Sequence, residues 1–120
     1  MKRAVCIILI LCALMAQPVY AGERSLGTYR ITFYCNCPKC CGSWSGGKTA
    51  SGTWPTRYRT VAAGNDLPFG TMIRIEGFED IRVVEDRGVG SGCIDVFVPD
   101  HQECLRLGLM YREVFIEEAD

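Results

Sequence analysis

Two aspartates, Asp86 and Asp95, stand nine positions apart in the stretch 83–97, on either side of the Gly-rich run Gly88-Val89-Gly90-Ser91-Gly92. Carboxylates carried by two strand-like segments around such a turn can be aimed into one groove. There they suit proton transfer, one group protonating a leaving oxygen while the other steers charge or handles a second proton. Cleavage of a glycosidic bond is the reaction this pairing suggests. The plainer explanation is that Asp86 lies in a surface turn and Asp95 ends a strand.

Positioning two carboxylates needs strands, and the chain supplies a series of short ones. Tyr29, Ile31 and Phe33 alternate with Arg30, Thr32 and Tyr34, the period of a half-buried strand. Further strands are expected over 61–63, 72–76, 81–85, 94–98 and 111–116, with turns between them such as Leu67-Pro68-Phe69-Gly70-Thr71. Within 94–98, Ile94, Val96 and Val98 share one face, which leaves Asp95 and Phe97 on the other. The same alternation turns Glu85 away from Asp86 and toward solvent. The stretch 41–55 is rich in Gly, Ser and Thr and reads as a long functional loop. One helix is marked by Asp100 as N-cap, Glu103 completing a capping box and Gly108 as C-cap, with Leu105, Leu107 and Met110 expected inward. About six strands and one short α-helix in so small a domain predict an all-β fold, a compact six-stranded β-barrel.

Residues 1–21 read as a secretory signal peptide: Lys2 and Arg3, an apolar run over 4–16, and Val19-Tyr20-Ala21 before the expected cleavage. The apolar run is short against the roughly 20 residues a membrane span needs, so no stable membrane association is expected after cleavage. Residues 22–120 then form one domain. Removing Lys2 and Arg3 from the 13 basic residues leaves 11 against 14 acidic ones, a formal charge of −3. Charges are interspersed, and no basic stripe of the kind that binds nucleic acid is present. Six cysteines remain in this domain: Cys35, Cys37, Cys40, Cys41, Cys93 and Cys104. In an exported chain they are expected to form disulfides, whose pairing the sequence leaves open; Cys93 and Cys104 are the candidate pair that remains if the other four hold a metal. The first four also offer soft ligands within seven residues, so a zinc site stands beside the disulfide reading. His101 is the single histidine. It is expected to make local polar contacts, which argues against a His-based triad or a His-rich metal site.

Tyr34-Cys-Asn-Cys-Pro-Lys-Cys-Cys-Gly42, Thr49-Ala-Ser-Gly52, Thr60-Val-Ala-Ala63, Leu67-Pro-Phe-Gly-Thr71, Val84-Glu-Asp-Arg-Gly88, Ile94-Asp-Val-Phe97 and the helix at 101–108 follow one another along nearly the whole domain. In that order they resemble the 3D domain family, named for three aspartates, which includes the barrel of membrane-bound lytic transglycosylase A. The resemblance implies a double-psi β-barrel, as in rare lipoprotein A and expansins, and lysis of the peptidoglycan glycan strand. It matches Asp95 to the catalytic acid and Asp86 to the aspartate before it. The first family aspartate falls at Gly64-Asn65, with Asp66 close by as the candidate substitute. The spacing from Asp86 to Asp95 is shorter than in members with a longer Gly-rich insertion. The His that follows the paired alanines in rare lipoprotein A is replaced by Gly64.

A lytic transglycosylase needs one carboxyl group and no activated water, metal or cofactor. Thr49, Ser51, Gly52 and Asp66 are the expected substrate contacts, Thr49 and Ser51 bonding sugar hydroxyls, while Trp44, Trp54 or Tyr58 could stack on sugar rings. The expectation is therefore a monomeric, secreted enzyme of the cell envelope acting on peptidoglycan glycan strands. Two alternatives are an expansin-like wall-binding module without catalysis and a glycoside hydrolase that uses both Asp86 and Asp95. A Cys-rich structural or zinc-binding protein is a third.

Overall fold

A computed structural model describes residues 22–118, so the expected signal peptide over 1–21 lies outside the described residues. Six strands form: β1 (Glu23–Tyr34), β2 (Thr60–Ala63), β3 (Met72–Ile75), β4 (Arg82–Asp86), β5 (Cys93–Phe97) and β6 (Met110–Glu117). They close into one barrel in the order β1-β5-β2-β4-β3-β6. Two neighbouring pairs, β1 with β5 and β2 with β4, are parallel; the remaining pairs are antiparallel. The expected small all-β barrel is therefore present, with closure leaving no sheet edge unpaired.

The strands exist because their inward positions are aliphatic and mostly β-branched. Ile31, Val61, Ile73, Ile75, Val84, Ile94, Val96 and Val114 are almost entirely excluded from solvent and fill the barrel. Burial of each stabilises the fold by roughly 1.5–3 kcal/mol. On the outside, Arg74 on β3 clamps Glu23 at the start of β1 with two hydrogen bonds of 3.0 and 2.8 Å. Its guanidinium also lies 4.4 Å from the Phe115 ring centroid.

Two short helices accompany the barrel rather than the one expected: α1 (Pro38–Cys41) and α2 (His101–Leu107). A 3-10 turn over Gly42–Trp44 follows α1. Asp100 caps α2 as expected, accepting from Gln102 N–H at 3.0 Å. Glu103 does not close a capping box. It takes the Arg57 guanidinium in a fork of 3.2 and 2.9 Å, which fastens the long loop to the helix. The buried residue of α2 is Cys104, whereas Leu105 is exposed. A single-sided helix of two turns has room for one deeply buried position, and Leu107 packs at its margin.

Candidate functional site

One rung across four strands assembles the aspartates. Thr32 of β1 pairs with Asp95 of β5, Asp95 with Ala62 of β2, and Ala62 with Asp86 of β4. The two aspartates thus flank Ala62 on neighbouring strands, about 4.8 Å from it on either side along the hydrogen-bonding direction. Asp95 shares its outward face with Phe97 because Ile94 and Val96 point inward, as their alternation predicts. Asp86 reaches the same outward face by a different route. The register of β2 on β4 slips between Val61/Val84 and Ala62/Asp86, leaving Glu85 as the extra residue of a β-bulge. Without that slip, period-two alternation would send Asp86 inward with Val84. Bulges re-aim side chains in this way beside functional sites.

Glu85 is itself displaced from the expected exposed position into a buried one. Its Oε1 accepts from Thr60 Oγ1 at 2.7 Å and from Arg59 Nε at 3.0 Å. The segment before β2 covers the extra bulge residue, with Ser51 N–H donating to Glu85 O at 3.0 Å, and a carboxylate buried there needs these two donors.

The rung forms the floor of an open cavity of about 620 Å³. Tyr34 and Ala62 line it and pack with Phe97 behind them in a small apolar cluster, the Tyr34 and Phe97 rings edge to face at 5.5 Å between centroids. These groups take Asp95 out of water and push its carboxyl up to about 6, with the negative charge of Asp86 adding to the effect. A hydrogen bond from Thr32 Oγ1 at 3.0 Å, and the charge of Arg30, act in the opposite direction. Asp86 is differently placed. It accepts from Tyr34 Oη at 2.9 Å, Ala50 N–H at 2.9 Å and Arg87 N–H at 2.9 Å. Burial, and then the charge of Asp86, raise the Tyr34 phenol well above its ordinary range, so Tyr34 stays a donor to Asp86.

The segment over 42–55 supplies one wall. Trp44, four-fifths exposed, and Lys48 line the cavity from it. Of the aromatics proposed to stack on sugars, Trp44 is the one that faces the cavity; Trp54 and Tyr58 are exposed but do not line it.

The expected substrate contacts are distributed differently. Thr49 lines the cavity yet is buried. Its Oγ1 accepts from Thr53 N–H at 3.1 Å and lies 2.7 Å from Thr53 Oγ1 and 3.2 Å from Ser51 Oγ. With Gly52 N–H donating to Thr49 O at 2.9 Å and Gly52 at φ +96°, the four residues 49–52 form a turn that presents Ala50 N–H to Asp86. Ser51 and Gly52 build the turn without lining the cavity. Asp66 is also off the cavity, accepting from Tyr29 Oη at 2.8 Å and, at 3.4 Å, from Gly92 N–H. Thr49→Ala is accordingly expected to lower the unfolding free energy by about 1–3 kcal/mol, the cost of stranding buried hydrogen-bonding partners. Urea unfolding of the variant reads this directly; an unchanged midpoint with a raised KM would restore Thr49 to the role of a sugar ligand.

The six described cysteines are all free thiols, which corrects the disulfide expectation. Cys40 and Cys41 are adjacent, and the roughly 3.8 Å between neighbouring Cα atoms falls short of the span of an unstrained disulfide. Cys41 Sγ donates to Cys35 O at 3.3 Å and Cys104 Sγ to Val98 O at 3.5 Å, and Cys93 and Cys104, the pair that would remain beside a metal site, are both free. His101 is corrected too. Its Nδ1 lies 3.5, 3.4 and 3.5 Å from Sγ of Cys35, Cys37 and Cys40, far from a merely local role.

Sequence reasoning had not singled out Tyr34 and Ala62 as site residues. The alternation Arg30/Thr32/Tyr34 did place Tyr34 on one face with Thr32, but only the parallel register with β5 shows that this is the face of Asp95. No protein-family model and no curated protein matches this chain.

Proposed function

We propose that this groove cleaves the glycan strand of peptidoglycan between N-acetylmuramic acid and N-acetylglucosamine, as a lytic transglycosylase with Asp95 as its single catalytic acid. The observation that carries the reading is the inequality of the two aspartates. Asp95 is half-buried beside Tyr34 and Phe97 with its proton retained toward neutral pH, as a general acid requires. Asp86 has three donors on a group with roughly four acceptor sites, so little of it is left to attack a sugar or activate water. That disfavours the two-carboxylate hydrolase.

In the proposed reaction Asp95 gives its proton to the bridging oxygen, and the bond from that oxygen to the muramic C1 breaks. The C6 hydroxyl of the same muramic residue closes on C1, and its proton returns to Asp95. The fixed charge of Asp86, across Ala62, steadies the positive charge that develops on the sugar ring. Trp44 offers a stacking face at the rim. The sequence and the 3D-family resemblance support an exported, monomeric protein of the cell envelope; among the described residues no helix is long and apolar enough to cross a membrane.

Digestion of purified peptidoglycan followed by mass spectrometry tests this reading: the products should carry 1,6-anhydromuramic ends. Reducing ends would indicate hydrolysis, and binding without products an expansin-like module. The rate should be highest on the acid side and fall as pH rises through about 6, because the reactive form of Asp95 is the protonated one. A rate that increases through that pH would mean that the group works first as a base.

A further inference from the structure

We propose that Cys35, Cys37, Cys40 and His101 bind one zinc ion in a closed tetrahedral site that pins the groove wall to the barrel. The four ligand atoms lie within 4.8 Å of one another. Tetrahedral zinc, with sulfur at about 2.3 Å and nitrogen at about 2.0–2.1 Å, sets ligand sulfurs about 3.8 Å apart and about 3.5 Å from the nitrogen. His101 Nδ1 stands at 3.5, 3.4 and 3.5 Å from the three sulfurs, the apex of such a tetrahedron. The sulfurs of Cys35 and Cys40 are 3.5 Å apart, and those of Cys35 and Cys37 are 2.9 Å apart, so a central ion requires the latter pair to open by less than an ångström.

The local backbone makes a tight turn between two of the ligands. Cys37 is the N-cap of α1 and Pro38 its first residue, so the chain turns into a helical segment between Cys37 and Cys40. The N–H groups of Cys40 and Cys41 both donate to Cys37 O, at 3.2 and 2.9 Å, which closes the turn between the two ligands. Three thiolates and one imidazole form a soft set suited to zinc, and the three thiol protons are released to solvent as the ion binds. With four protein ligands no position is left for substrate or water, which makes the site structural. Cys41 is not a ligand, since its sulfur turns to Cys35 O. The ion would thus join the end of β1 and α1 to the first residue of α2, and hold the segment that leads into Trp44.

Metal content and spectrum report on this centre whether or not the groove cleaves glycan. The reduced full chain, loaded with zinc and desalted, should retain one zinc per chain. The cobalt(II)-loaded protein should show sulfur-to-cobalt charge transfer and the intense d–d bands of tetrahedral coordination. A change one shell out from a metal costs about 10- to 100-fold in affinity, so Cys40→Ser and His101→Ala, which remove ligands, should each weaken binding by more than about 100-fold. Cys41→Ser should bind as the wild type does. Failure of the reduced wild type to take up zinc, an octahedral cobalt spectrum, or equal loss in Cys41→Ser and Cys40→Ser would each overturn the proposal. Should a ligand variant not fold, the wild-type cobalt spectrum decides alone.

Discussion

Under the proposed function, replacing Asp95 by Asn is expected to reduce glycan cleavage by at least the roughly 10²- to 10⁴-fold that a general acid contributes, while making the folded protein more stable at neutral pH. The amide is nearly isosteric and its Oδ1 can still accept from Thr32 Oγ1, as the carboxylate does at 3.0 Å. It has no proton of useful acidity to give. The stability change has its own pH signature. Asp95 titrates near 6 in the folded chain against an ordinary 3.8, so the folded state holds the proton more tightly than the unfolded one. The wild type is therefore most stable, relative to the Asn variant, below about 3.8, and it loses ground as pH rises from there to about 6. Above that window the penalty is constant, and the Asn variant should melt higher there and converge with the wild type in acid. Wild-type cleavage by the variant would remove Asp95 from the mechanism. A melting difference independent of pH would mean that burial is not what perturbs the carboxyl.

Gly64→Asp, which would restore an acidic residue where the 3D resemblance has its first aspartate, is expected to damage the protein. A Cβ at this position would lie 2.5 Å from Ser91 N and 2.6 Å from Gly90 C. Both obstacles are backbone, so relief requires the turn between β4 and β5 to move as a body. Overpacking of this sort costs about 1–3 kcal/mol when side chains can yield, and more is expected where they cannot. Because that turn leads directly into β5, activity should fall with stability. Asn65→Asp, at an exposed neighbouring position, should stay within about 0.5 kcal/mol of wild type. Equal melting temperatures for Gly64→Asp and the parent would show that the turn is not packed as described.

The backbone of the short turn between the aspartates occupies the space that a side chain at 64 would need. From the sequence the glycine at 64 was visible, but its crowding was not, since nothing in a linear reading places Gly90 against Gly64. The strands were more accessible. Their alternation, with the turn residues between, located all six, and the face of Asp95 followed from Ile94, Val96 and Val98. Asp86 was grouped with Asp95 through the resemblance and the Gly-rich turn, while the bulge that makes the grouping geometrically possible has no local signature. Glu85 was misread for the same reason. Thr49 was read as a sugar ligand because a hydroxyl in a Gly/Ser/Thr-rich loop is equally suited to bonding substrate or its own backbone. His101 was discounted because its three sulfur neighbours lie more than sixty positions away along the chain.

Pairing across the barrel has a consequence for how the protein comes into being. Glu23 at the start of β1 pairs with Glu117 at the end of β6, and Arg30 pairs with Cys93. The first strand therefore waits for partners made after the strands between, and local hairpins cannot stand in for them. Domains dominated by such distant pairings fold in milliseconds to seconds rather than microseconds. The floor of the groove joins β1, β5, β2 and β4, so a nascent or truncated chain that lacks β5 has no rung on which Asp95 and Asp86 can meet. Under the proposed function, the capacity to cut glycan would arise in one late step, after synthesis of the whole barrel, with no partly active precursor before it.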